Sequence, residues 1–222
     1  MSRIGILAAA AVLASAALPA AASTVYSDIN ANAATAAAAF DAAVGSFTVQ
    51  DFEGFADGAQ PSWSYGAGTA TLDGALGVTT GYPYGGGPTS GSKGYIAYTE
   101  FGAGSPVFTF SAPIRAFGAY IVDLELPAQI TVTLSGGGVE LLTPTIAGDG
   151  GLTFFGFDYG SAAITGVSIA LHVTDAVLLD DVRIATGAAV PEPGAWALMI
   201  AGFGLAGAAL RNRRRAAPVL AR

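Results

Sequence analysis

Between residues 46 and 184 the chain switches nine times between a short apolar or β-branched run and a break built from Gly, Pro, Asp or Ser. The runs cover residues 46–52, 94–99, 107–111, 115–123, 129–134, 139–145, 152–157, 164–173 and 176–184. Segments this short, rich in Val, Ile, Thr, Phe and Tyr and closed by turn formers, read as strands rather than helices. Ile130, Val132 and Leu134 alternate with Thr131 and Thr133, the pattern of a strand buried on one side. Ser135-Gly136-Gly137-Gly138 makes a hairpin, and Asp149-Gly150-Gly151 makes another turn. The expected fold is mainly β, an antiparallel β-sandwich of jelly-roll type. Phe117, Tyr120, Ile130, Val132, Leu134, Phe155, Ile169, Leu171 and Val182 are its candidate core.

Two segments depart from the strand pattern. Residues 23–45 are alanine-rich, so Ser27 or Asp28 is expected to cap a short N-terminal helix through Phe40, which Gly45 ends. Phe40 and Val44, four residues apart, would pin that helix to the sandwich. Residues 56–93 are rich in Gly, Ser, Thr, Tyr and Pro, and are too long for a plain connector. One or two weak strands near residues 70–78 are expected inside them. Trp63, Tyr65, Tyr82 and Tyr84 are the candidate ligand-binding aromatics, because ring faces set among glycines can stack on the apolar faces of sugars.

Charge narrows the function classes. Residues 23–187 hold fifteen acids against Lys93, Arg115 and Arg183, a net charge of −12. That sign opposes nucleic acid and anionic polysaccharide, and suits divalent cations. There is no cysteine, which excludes disulfide staples, thiol catalysis and cysteine-ligated metals. His172 is the single histidine, so catalytic triads and zinc sites lose their key part.

Both ends of the chain read as addresses. Residues 1–22 open with Arg3, continue as an apolar run and close on Ala20-Ala21-Ala22, the pattern of a cleaved signal peptide. In residues 188–222, Pro191-Glu192-Pro193 precedes an uncharged run over 194–210, and then Arg211, Arg213, Arg214 and Arg215 follow. As a helix that run spans roughly 25 Å, enough for a thin bilayer core. The arginines hold its end on the cytoplasmic side, and Trp196 lies where indoles favour the opposite interface. Pro191-Glu192-Pro193, the run from Trp196 to Gly207 and Arg213-Arg214-Arg215 together resemble the PEP-CTERM protein-sorting signal of Gram-negative bacteria. The resemblance implies recognition by exosortase, a membrane-embedded cysteine protease, after transit through the inner membrane. It also implies a place in the envelope or extracellular matrix of a cell that makes exopolysaccharide and biofilm.

The acids carry the remaining chemistry. Asp51 and Glu53 flank Phe52 on a predicted strand and would share one face. Asp180 and Asp181 lie in the last apolar run, where carboxylates are costly to bury without an ion or hydrogen bonds. If the first and last strands are neighbours, these four acids furnish hard oxygen ligands for a structural Ca²⁺. The alternative is that Asp180 or Asp181 simply accepts backbone N–H bonds. The body also resembles carbohydrate-binding and lectin-like jelly rolls, in which an early Phe-Glu and a late Asp-Asp frame a calcium ion. The expected function is therefore non-enzymatic: structural, adhesive or carbohydrate-binding. The alternative is a secreted glycoside hydrolase that uses Glu53 with Asp181.

Overall fold

The computed structural model describes residues 23–66, 68–74, 76–99, 104–161, 163–187 and 202–203. The expected signal peptide, the transmembrane run over 194–210, Pro191, Glu192, Pro193, Trp196 and the four arginines lie outside them. Among the described residues no helix is long and apolar enough to cross a membrane.

Over described residues 23–187 the elements follow in order: β1 (Thr24–Ile29), a 3-10 turn (Asn30–Asn32), a short helix α1 (Ala33–Val44), β2 (Thr48–Gln50), β3 (Ser62–Tyr65), β4 (Gly68–Asp73), β5 (Gly77–Thr80), β6 (Lys93–Tyr98), β7 (Val107–Ile114), β8 (Ala116–Val122), β9 (Gln129–Leu134), β10 (Val139–Leu142), β11 (Leu152–Asp158), β12 (Ile164–Ala170) and β13 (Ala176–Ala185). They form two antiparallel sheets packed as a sandwich. One runs β1-β11-β8-β13-β6-β5, with β2 also paired to β13; the other runs β10-β9-β12-β7-β4-β3.

Two burial patterns explain which runs alternate and which do not. The β10–β3 sheet is covered on one face only, so β3, β4 and β9 alternate inward and outward residues. The other sheet is covered on both faces, and β8 is buried at all seven positions. Its inner residues Phe117, Ala119, Ile121, Phe155, Phe157, Val177, Leu179, Val182 and Ile184 meet Phe108, Phe110, Ile130, Val132, Val167 and Ile169 of the opposite sheet. Its outer residues Ala116, Tyr120, Phe154 and Ala185 lie under α1, which buries Ala33, Ala37, Phe40 and Val44. Phe40 seats over the cross-strand pair Gly118 and Gly156. A methyl on Gly156 would approach the Phe40 ring to 2.8 Å, so bare backbone makes the seat for the ring.

The helix begins later than the sequence suggests. Ser27 and Asp28 cap nothing; they belong to β1, which pairs along its whole length with β11. The N-cap, Asn32, makes no side-chain capping bond, and Gly45 ends the helix at φ 77°. Within residues 56–93 three strands form rather than one or two, because β3, β4 and β5 each find a partner in β4, β7 and β6. Of the candidate core, Tyr120 faces the outer side of its sheet, while Leu134 and Leu171 are half-buried.

Candidate functional site

The site is organised by one extra residue in β13. Asp180 pairs with Tyr120 and Arg183 with Gly118, three steps on one strand against two on the other. Asp181 is the bulged residue and adopts φ 47°. Before the bulge Val177 and Leu179 face the core; after it Val182 and Ile184 do. The bulge therefore leaves Asp180 and Arg183 on the same outer face, with Asp181 between them.

Over that face runs the glycine-rich segment of residues 81–92, and the acids grip it. Asp180 Oδ2 accepts the N–H groups of Thr89 and Ser90 at 2.7 and 2.9 Å. The Thr89 hydroxyl sits 2.9 and 3.0 Å from Asp180 Oδ2 and Asp181 Oδ2, and Ser90 Oγ donates to Asp181 Oδ1 at 2.8 Å. Glu53 Oε1 accepts the N–H groups of Ser92 and Lys93, both at 2.6 Å, and those bonds hold its carboxyl below the usual range. Asp180 is wholly buried, and burial pushes its carboxyl up.

This changes the expected calcium set. Glu53 lies in a turn after β2, beyond a buried Phe52 at φ 61°, and not on a strand beside Asp51. Asp51 accepts the N–H of Glu53 within that same turn. The pairing of β2 with β13 makes the 46–52 and 176–184 runs neighbours, as expected, with Gln50 opposite Val182. Glu53, Asp180 and Asp181 direct both carboxylate oxygens to backbone or hydroxyl donors, and Asp51 directs one.

The aromatic set divides in the same way. Trp63 and Tyr65 point inward from β3 and are 7% and 1% exposed, so neither offers a ring to a ligand. Tyr82 is half-buried against Ile96, Val122 and Leu178, with its hydroxyl 3.0 Å from Asp123 Oδ2 and 2.6 Å from the Ala176 carbonyl. Burial and the Asp123 charge push that phenol up. Tyr84 is 47% exposed and stacks on Tyr98, centroids 5.7 Å apart at 21°.

Two hollows flank the segment. A cleft of about 430 Å³ has Tyr120, Leu152 and Arg183 on its floor and Gly86, Gly87 and Thr89 on its wall. Its Arg183 guanidinium lies over Tyr120 at 5.2 Å and donates to Asp41 at 2.9 Å, which occupies the ring face a sugar would need. A groove of about 250 Å³ is lined by Tyr84, Tyr98, Asp123, Glu125, Asp149, Thr174 and Ala176. Asp123, Glu125 and Asp149 were not singled out from sequence. Their one local signal is a pair of acids just past an apolar run, facing an Asp-Gly turn.

Asp175 stands behind this groove, wholly buried. Burial, then the charges of Glu125 and Asp123, push its carboxyl up to about 6. The folded state thus keeps a proton that the unfolded chain releases near pH 4, so this group's contribution to stability falls as pH rises from about 4 to about 6. In chelator, Asp175→Asn is expected to remove that part of the slope and to stabilise the protein at pH 7 by about 3 kcal/mol. Urea midpoints at pH 4.5 and 7 measure it (~ two points spanning the titration), and an unchanged difference between them would refute the account.

Comparison with known proteins gives three results. Residues 189–215 match the PEP-CTERM protein-sorting motif. No curated protein matches the chain. The fold overlaps with the structure of TmCBM61 in complex with β-1,4-galactotriose at 12% identity and TM-score 0.25, over 67% of this chain and 94% of that one.

Proposed function

From the premise that the chain carries a PEP-CTERM protein-sorting motif, we propose that it is exported and held in the inner membrane by residues 194–210. Exosortase then processes it, and the sandwich serves outside the cell as a non-catalytic, glycan-binding or adhesive module of an exopolysaccharide matrix. The observation that carries the binding role is the exposed Tyr84 ring, stacked on Tyr98 at the rim of a groove edged by carboxylates and Thr174. A ring face takes the apolar face of a sugar, while carboxylates and a hydroxyl take its O–H groups. The hydrolase reading needs two available carboxylates facing across a cleft. Glu53 and Asp181 are each already bonded to the 89–93 segment, which favours binding over hydrolysis.

A glycan array probed with the purified protein tests this, with calcium and with chelator. Tyr84→Ala is expected to weaken binding to the selected glycan at least about tenfold, or about 1.4 kcal/mol, with an unchanged far-UV spectrum. Equal binding by wild type and variant would remove Tyr84 from the site. Release of reducing ends, abolished by Glu53→Gln, would establish the hydrolase instead.

A further inference from the structure

The Tyr84 groove gathers negative charge that no base among the described residues offsets. Asp123 follows β8, Glu125 lies two residues on, and Asp149 comes from the turn before β11; one oxygen of each lies within 4.8 Å of the others. Lys93 is engaged by Asp57 and the Phe55 carbonyl, Arg115 by Asp158, and Arg183 by Asp41. Asp123 Oδ1 is aimed by the Gly150 N–H at 2.5 Å, in the way outer groups orient a metal ligand, and its Oδ2 lies 3.0 Å from the Tyr82 hydroxyl.

A second observation is independent of that cluster. Asp175 is 0% exposed, and its Oδ1 has no hydrogen-bond partner among the described residues. Its other oxygen accepts the N–H of Leu126, the residue after Glu125, and its chain neighbours Thr174 and Ala176 both line the groove. A buried carboxylate oxygen left without a donor is costly. Here it adjoins Glu125 and Asp123, whose charges act on it. A cation in the groove answers both facts, since it cancels the repulsion in front and supplies positive charge to the oxygen behind.

We propose that Asp123, Glu125 and Asp149 bind a divalent cation, and that the ion is calcium. The ligands are hard oxygens on a strand end and a turn, a flexible set that suits calcium's 6–8 oxygens better than magnesium's strict octahedron. The ion joins the 149–151 turn to the end of β8 and, through Tyr82, to the glycine-rich segment. It therefore stiffens the Tyr84 rim. This site stands whether or not the rim takes a glycan, and its readout involves no sugar.

Terbium(III), a luminescent substitute for calcium, tests it on the full-length chain in detergent, because Tyr84 and Tyr98 line the same groove and sensitise a bound lanthanide. Tyrosine-excited emission is expected, displaced by calcium at lower concentration than by magnesium. Glu125→Gln and Asp149→Asn, both at exposed positions, should each weaken terbium binding at least about tenfold with an unchanged far-UV spectrum. Asp181→Asn should bind as wild type does. The proposal is overturned if no calcium-displaceable emission appears, if both groove variants keep wild-type affinity, or if only Asp181→Asn loses it.

Discussion

Asp180→Ala is expected to cost about 3 kcal/mol and to free residues 81–92 from the face they cover. The carboxylate is wholly buried and accepts the backbone N–H groups of Thr89, Ser90 and Asp181 at 2.7–2.9 Å. Truncation leaves three donors without an acceptor, and each orphaned group costs about 1–3 kcal/mol. The removed charge itself was expensive to bury, which offsets part of that sum and keeps the net near the lower end. Asp180→Asn keeps one acceptor oxygen and should lose less. Urea unfolding gives the energy, and hydrogen exchange at Thr89 and Ser90 gives the location. Wild-type protection at both amides in Asp180→Ala would show that other contacts hold the segment.

Phe117→Ala should be the most damaging single truncation of the core, at about 3–5 kcal/mol. Phe117 is the second residue of β8 and is 1% exposed. Its ring centroid is 4.8 Å from that of Phe108, 6.3 Å from Phe110 and 5.7 Å from Phe157, so it bridges both sheets. Little can move to fill the gap, since its neighbours are rings fixed on paired strands. In a body of this size the loss corresponds to roughly 10 °C in Tm or more. A fall of only a degree or two, as for a surface substitution, would mean that the two sheets do not meet at this ring.

Much of the fold is legible because the signals are local. The boundaries of β9 were readable to the residue, since one covered face imposes strict alternation, Pro127 precedes it and a glycine turn follows it. The run that became β8 reads as a strand, although only the structure explains its lack of alternation: α1 and the glycine-rich segment cover its second face. β1 was hidden, because Ser27 and Asp28 before an alanine run look like a helix cap, while the strand exists through pairing with β11, far away in the sequence. Trp63 and Tyr65 looked like platform rings for the same reason. Their inward direction depends on β3 joining β4.

By itself the sequence determined the linear address, because a sorting motif of prolines, an apolar run and arginines works as an ordered string. It also determined the β class and the acidic surface, since periodicity, turn chemistry and charge are properties of neighbours along the chain. Only the tertiary structure decided which acids serve which purpose. A single bulged residue, Asp181, turned Asp180 and Arg183 to one face and set Asp180 and Asp181 against the N–H and hydroxyl groups of Thr89 and Ser90. The acids that do converge, Asp123, Glu125 and Asp149, come from a strand end and a distant turn. Strand register over long separations sets that meeting, and no local spacing encodes it.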